Sequence, residues 1–94
     1  MIYIFKVTKK DYSNGQYIID KVCWNNSLYS FEENWCTKKE MVDFMRNNPT
    51  VIVKTKIRPK GYWEAGEDVR VVDNRYLRTD ANGYKADNLG SLVK

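Results

Sequence analysis

The chain has 94 residues, a net charge of +4, 43 % hydrophobic and 14 % aromatic residues, two cysteines and no histidine. That length bounds it to one domain, residues 1–94, with one modest core, and the composition excludes a disordered chain. The missing histidine removes the commonest general acid/base and metal ligand, so no catalytic residue, metal site or cofactor is expected.

The mild basicity permits an anionic partner, yet no run of five like charges forms a basic tail. No stretch approaches the roughly 20 apolar residues of a membrane helix, and Met1-Ile2-Tyr3-Ile4-Phe5-Lys6 has neither a long apolar core nor a cleavage site. The expectation is a cytoplasmic protein that does not engage membranes. Cys23 and Cys36 make no C-x-x-C and no disulfide framework, and a reduced, partly buried pair is expected.

Residues 2–9 mix Ile, Tyr, Phe and Val and read as a strand. Asn14-Gly15 is a hairpin signal, and residues 16–25 read as the returning strand. There Ile18, Val22 and Trp24 fall on one face, with Tyr17, Ile19 and Cys23 on the other. Residues 27–31 read as a short third strand. Thr37-Lys38-Lys39-Glu40 fits the capping box, with Cys36 and Met41 spaced as a hydrophobic staple. The helix it opens runs over 38–47, turns Met41, Val42, Phe44 and Met45 toward the sheet, and ends at Asn48-Pro49. Residues 50–58 form the clearest strand, 62–68 read as a loop, 68–72 as a strand, and Arg75-Tyr76-Leu77-Arg78 as the last one. The order predicts an α+β fold: a single, mostly antiparallel β-sheet of about five or six strands with one main α-helix packed on one face.

Two constellations carry chemistry. Lys54, Lys56 and Arg58 alternate along their strand, a row of cations at intervals of roughly 7 Å. The row either faces an anionic partner or forms the solvated face that antiparallel sheets commonly present. Tyr62-Trp63 follows it, and Trp63 is either a stacking platform for a base or a loop aromatic folded onto the core. The second constellation is the closing segment. Arg78-Thr79 ends a strand, and Asn82, Asp87 and Asn88 follow within ten residues. That density of donors and acceptors fits either a capped turn or a loop that holds an anionic, hydroxyl-rich ligand. No Walker-type loop, G-x-G-x-x-G or zinc pattern is present, and no two carboxylates are placed as a catalytic pair. The chain is therefore expected not to be an enzyme.

The string Tyr76-Leu77-Arg78-Thr79-x-x-Asn82, followed by Asp87-Asn88-Leu89-x-x-Leu92, resembles the closing motif of small bacterial and phage proteins long labelled as a domain of unknown function. It also resembles the Thoeris anti-defence protein 1 family, phage proteins that act as sponges for nucleotide signals. Val93 stands where that pattern carries Pro. The resemblance implies binding without chemistry of a small-molecule cyclic nucleotide signal, a cyclic ADP-ribose isomer or a cyclic oligonucleotide, so that a bacterial anti-phage system is starved of it. It implies a homo-oligomer, a dimer or a trimer of dimers, in the cytoplasm of the bacterial host. Its Arg-Thr pair maps onto Arg78 and Thr79, and its following Asn onto Asn82. From the residues alone, Asn88 is added as a reader of hydroxyls or a base edge, and Arg58, Lys56 and Trp63 from the charge and stacking arguments. The competing readings are a small nucleic-acid-binding module that uses the basic and aromatic sheet face, and a structural protein-interaction domain.

Overall fold

The first two strands set the frame. In a computed structural model that describes residues 1–13, 16–79 and 87–89, β1 (Ile2–Ser13) and β2 (Gln16–Asn25) pair antiparallel. The Asn14-Gly15 turn lies outside the described residues. The pairing slips between Ile4 and Lys6, between Thr8 and Lys9, and between Lys9 and Asp11. Each slip leaves one extra residue on one strand: Phe5 and Lys10 on β1, Asp20 on β2. Such bulges re-aim side chains and break strict alternation. The Asp20 bulge corrects the expected phase of β2. Ile19, not Ile18, joins Val22 in the core, and Ile18 is left 44 % exposed.

The segment expected as a strand over 27–31 is a loop, and the third strand, β3, is Asn34–Thr37, antiparallel to β2. Helix α1 spans Lys38–Asn47, as the capping box predicts. Thr37 Oγ1 accepts from the Glu40 amide at 3.1 Å, and Glu40 Oε1 accepts from the Thr37 amide at 2.9 Å. These hydrogen bonds hold the Glu40 carboxyl below the usual carboxylate range. Met41 and Val42 are buried and Met45 packs beside them, whereas Phe44 is largely exposed.

The helix acts as a crossover, and this sets the sheet type. β4 (Val53–Ile57) returns beside β1 in the parallel sense, Ile2 against Val53 and Ile4 against Thr55. Strand, helix, parallel strand is the connection that a parallel pair needs. β5 (Glu64–Asp68), inside the segment expected as a loop, then pairs antiparallel with β4. Gly66 permits the close approach there, because a Cβ at that position would overlap Thr55 Oγ1. The sheet is thus mixed rather than mostly antiparallel, with order β3-β2-β1-β4-β5. A second sheet of two strands, β6 (Arg70–Val72) and β7 (Tyr76–Arg78), corrects the single-sheet expectation.

One face of the large sheet carries the core: Ile4, Ile19, Val22 and Val53 pack with Met41, Val42, Val69, Leu77 and Leu89. Cys23 and Cys36 are free. Cys36 pairs across from Val22 and Cys23 from Trp35, so the thiols sit in successive rows on opposite faces. Burial pushes both thiols up from their ordinary range.

Candidate functional site

Lys56 occupies the opposite face of the sheet and is fully buried. Its ammonium donates to Asn25 Oδ1 at 2.9 Å and to the carbonyls of Ser27, Ser30 and Leu28 at 2.8, 2.9 and 3.2 Å. Three short acceptors match its three donors. The rings of Trp63, Phe5 and Tyr3 surround it, with centroids at 4.4, 4.8 and 5.6 Å. Burial pushes the ammonium down from the usual lysine range, while the acceptors and ring faces favour the charged form. Lys56 is a staple that fixes the 26–33 loop over the sheet.

The expected cation row therefore does not exist as a surface. Lys54 pairs with Asp68 at 2.8 Å. Arg58 donates to the Gly61 carbonyl at 2.8 Å and lies over the rings of Phe31 and Trp63. Trp63 is folded back, 5.3 Å from Phe5 edge to face, and its buried Nε1 has no hydrogen-bond partner among the described residues.

The closing segment packs against the molecule. Arg78 is only 6 % exposed and pairs with Arg70 across the small sheet. The Thr79 amide donates to the Asn88 carbonyl at 2.9 Å, and the Asn88 amide to the Leu77 carbonyl at 2.8 Å. Asn88 thus lies alongside Arg78 as a parallel bridge, and Leu89 enters the core. Asn82 lies outside the described residues. The structure brings Arg78, Thr79 and Asn88 together, and puts Arg58, Lys56 and Trp63 on the other face.

Asp87 ties that segment to three elements of the fold. Its buried carboxylate accepts the Ile19 amide, the Leu77 amide and the Lys38 ammonium, each at 2.9 Å. One side chain so joins β2, β7 and the first turn of α1. Two of these bonds satisfy amides that the strand pairing leaves over, which a buried backbone donor requires.

Beside this junction a cleft of about 660 Å³ opens, lined by Lys10, Asp20, Lys38, Lys39 and Arg75 with Ile18, Ile19 and Thr37. Each cation has a local cause. Lys10 and Asp20 are the bulged residues of β1 and β2. Arg75 closes the β6–β7 turn, in which Asp73 and Asn74 both take positive φ, 54° and 58°, and the Arg75 amide donates back to Val72 at 3.2 Å. That is the tight hairpin turn Asp-Asn favours. Lys38 and Arg75 both lie over the Tyr76 ring, at 5.5 and 5.4 Å. Lys39 is exposed and, among the described residues, paired with Asp43 in the next turn, a contact that gives way readily. Among the described lining residues four cations stand against one carboxylate, so the cleft is electropositive and in the size range of small-molecule sites.

The second concavity is different: about 180 Å³ between α1 and the sheet, lined by Ile2, Trp24, Cys36, Glu40, Met41 and Phe44. Its described lining includes no cation and suits an apolar group.

Sequence reasoning missed Lys10, Asp20, Lys38, Lys39, Arg75 and Asp87. One signal was available. Two lysines in a helix's first turn oppose the positive end of its dipole, so Lys38-Lys39 stand where a cation is least favoured.

A family model described as "Protein of unknown function (DUF3892)" matches residues 3–93. No curated protein and no solved structure matches the chain.

Proposed function

The chain belongs to the DUF3892 family, and from that premise we propose that it binds a small phosphate-bearing ligand in the basic cleft without transforming it. The observation that carries this reading is the convergence of Lys10, Lys38, Lys39 and Arg75 on one open cleft, with Lys38 anchored to a buried carboxylate and Arg75 set by a tight turn. Fixed cations recognise phosphate oxygens through charge-assisted hydrogen bonds. The chain has no histidine and the described lining residues include one carboxylate, Asp20, so no paired carboxylates stand among them, which favours capture over turnover.

The closing motif narrows the ligand. Its resemblance to the nucleotide-signal sponges puts a cyclic ADP-ribose isomer, or a related cyclic oligonucleotide, first. Asp87, inside that motif, shapes the cleft by holding Lys38. The chain then acts as a cytoplasmic sponge that lowers the free concentration of an immune signal in a bacterial host.

Calorimetry with cyclic ADP-ribose isomers, cyclic di- and trinucleotides and NAD tests this. The expected result is saturable binding by one class, recovery of that ligand intact, and loss of binding in Lys38→Ala/Arg75→Ala. Absence of heat with every member, or conversion of the bound ligand to product, overturns the reading.

A further inference from the structure

The basic cleft holds a group that its four cations do not explain. Asp20 lines it beside Lys10, Lys38, Lys39 and Arg75. The neighbouring carboxylates are spent: Asp87 on two amides and Lys38, Asp43 on Lys39, Glu40 on the helix cap. Asp20, by contrast, makes no side-chain hydrogen bond or ion pair with any described residue. Its place is fixed all the same. It is the bulged residue between Ile19, which pairs with Lys9, and Lys21, which pairs with Thr8, and a bulge re-aims its extra side chain. The Ile19 amide and the Lys38 ammonium meet on the same oxygen, Asp87 Oδ2, each at 2.9 Å. Asp20 is thus one residue, about 3.8 Å along the chain, from the junction that anchors Lys38.

A carboxylate accepts hydrogen bonds and donates none, so the ligand group beside Asp20 is a donor. It is not a phosphate, which the carboxylate repels. A cationic donor, or a divalent metal ion, meets four like charges in the same lining. A base edge carries neutral donors, but bases are held by aromatic stacking, and the described lining contains Ile18, Ile19 and Thr37 and no ring. Neutral hydroxyls remain. Two on adjacent carbons match the two oxygens of one carboxylate, much as an acidic residue takes a ribose hydroxyl in dinucleotide sites. Ile18, left 44 % exposed by the same bulge, offers the carbon face of such a sugar an apolar wall.

On the reading of the cleft as a phosphate site, we propose that Asp20 is its specificity-determining residue: it accepts the vicinal hydroxyls of a ribose whose phosphate lies on Lys38 and Arg75. Those two cations converge over the Tyr76 ring, at 5.5 and 5.4 Å, and so mark where the phosphate lies. The sugar then lies toward β2 and Ile18. The carboxylate acts in two directions: it holds a ligand that bears the hydroxyls and weakens the hold on a bare phosphate chain.

Calorimetry in metal-free buffer with inorganic pyrophosphate, ADP and 2′,3′-dideoxy-ADP tests this. The wild type should bind ADP roughly tenfold tighter than dideoxy-ADP. Asp20→Ala should bind the two nucleotides alike, and should bind pyrophosphate more tightly than the wild type does, since a like charge is gone. Asp20→Asn, which keeps the shape and one acceptor, should show the same gain for pyrophosphate and part of the preference for ADP. A preference that survives in Asp20→Ala, or a wild type that does not distinguish the two nucleotides, overturns the role of Asp20. The cleft reading still stands in that case if pyrophosphate binds the wild type and Lys38→Ala/Arg75→Ala loses it. Pyrophosphate without a saturable site on the wild type overturns the cleft reading and the role of Asp20 together. A preference for ADP that appears only when magnesium is added also overturns that role, because Asp20 would then hold a metal ion.

Discussion

Lys56 and Lys38 present the same functional group in opposite situations. Lys56 is enclosed, with all three donors met at short range by the protein's own oxygens and three aromatic faces around it. Lys38 makes one hydrogen bond among the described residues, to Asp87, and retains 17 % side-chain exposure at the wall of an open cleft. A cation whose donors are consumed internally is a structural part; one anchored through a single donor is available to a ligand. The difference lies in what surrounds each lysine, not in the lysine or its place on a strand or helix.

Removing the enclosed cation is the harshest way to test that contrast. Lys56→Met is expected to destabilise the fold by about 3–5 kcal/mol, because it removes the ammonium that Asn25 Oδ1 and three carbonyls of the loop share and leaves the Ser27 and Leu28 carbonyls without it. Chemical denaturation measures this, and a loss under about 1 kcal/mol would show that the cage is not a staple. The folded fraction should bind ligand as the wild type does.

Asp87→Asn comes next, since Asp87 serves both regions. The amide keeps one acceptor but turns a donor toward the Ile19 or Leu77 amide, an uncompensated contact worth about 2–3 kcal/mol. It also releases Lys38. The expectation is a lower denaturation midpoint together with weaker ligand binding. Weakened binding at unchanged stability would mean that Asp87 acts only through the ligand.

Arg75→Ala inverts the Lys56 result. It and Lys38→Ala should each reduce ligand affinity about tenfold, or roughly 1.4 kcal/mol. Arg75→Ala should change stability by no more than about 1 kcal/mol, whereas Lys38→Ala leaves the buried Asp87 carboxylate without its cation and should cost more. A thermal melt beside a titration separates the two quantities. Stability loss without affinity loss would return the cleft to ordinary surface.

The sequence made part of this contrast legible. The capping box fixed α1 at Lys38–Asn47, because its signal is local and chemical. The hairpin of β1 and β2 was readable for the same reason. The parallel β1–β4 pair was not, because it depends on where the helix returns the chain. Nor were the bulges at Lys10 and Asp20, since alternation in sequence carries no mark of an inserted residue; they moved Ile19 inward and set two of the cleft's charges. The Lys54-Lys56-Arg58 row failed as a surface for a further reason. Period-two reading tells which side chains share a face, but not that a loop with Ser27, Leu28 and Ser30 folds over it. In the closing motif Asp87 and Arg78 are both buried, and what the sequence did not show is that the Asp87 carboxylate reaches the Ile19 and Leu77 amides and Lys38.

Acid separates the two regions by the smallest effect. Glu40 closes the capping box at the helix end that borders the cleft, and its carboxyl is held below the usual range by the Thr37 amide first and the Thr37 hydroxyl second. A depressed folded value means that the ionised form stabilises the native state. The contribution is complete above the unfolded value, about 4.3, and disappears as pH falls through the folded one. Glu33 behaves in the same direction because the Lys6 ammonium donates to it, so the acid limb contains both carboxylates. Glu40→Gln isolates one of them: its stability should fall less steeply than that of the wild type as pH drops below 4.3, with the two curves converging at low pH. The Lys56 cage is built without either carboxylate, so it should hold while the helix start loosens, and amide exchange at Lys38–Glu40 should rise before exchange in the 27–30 loop. Parallel wild-type and Glu40→Gln curves would mean that the cap is made by the Thr37 hydroxyl alone. The helix end would then owe nothing to the Glu40 carboxylate, and the Thr37 hydroxyl would alone set the turn that carries Lys38 and Lys39.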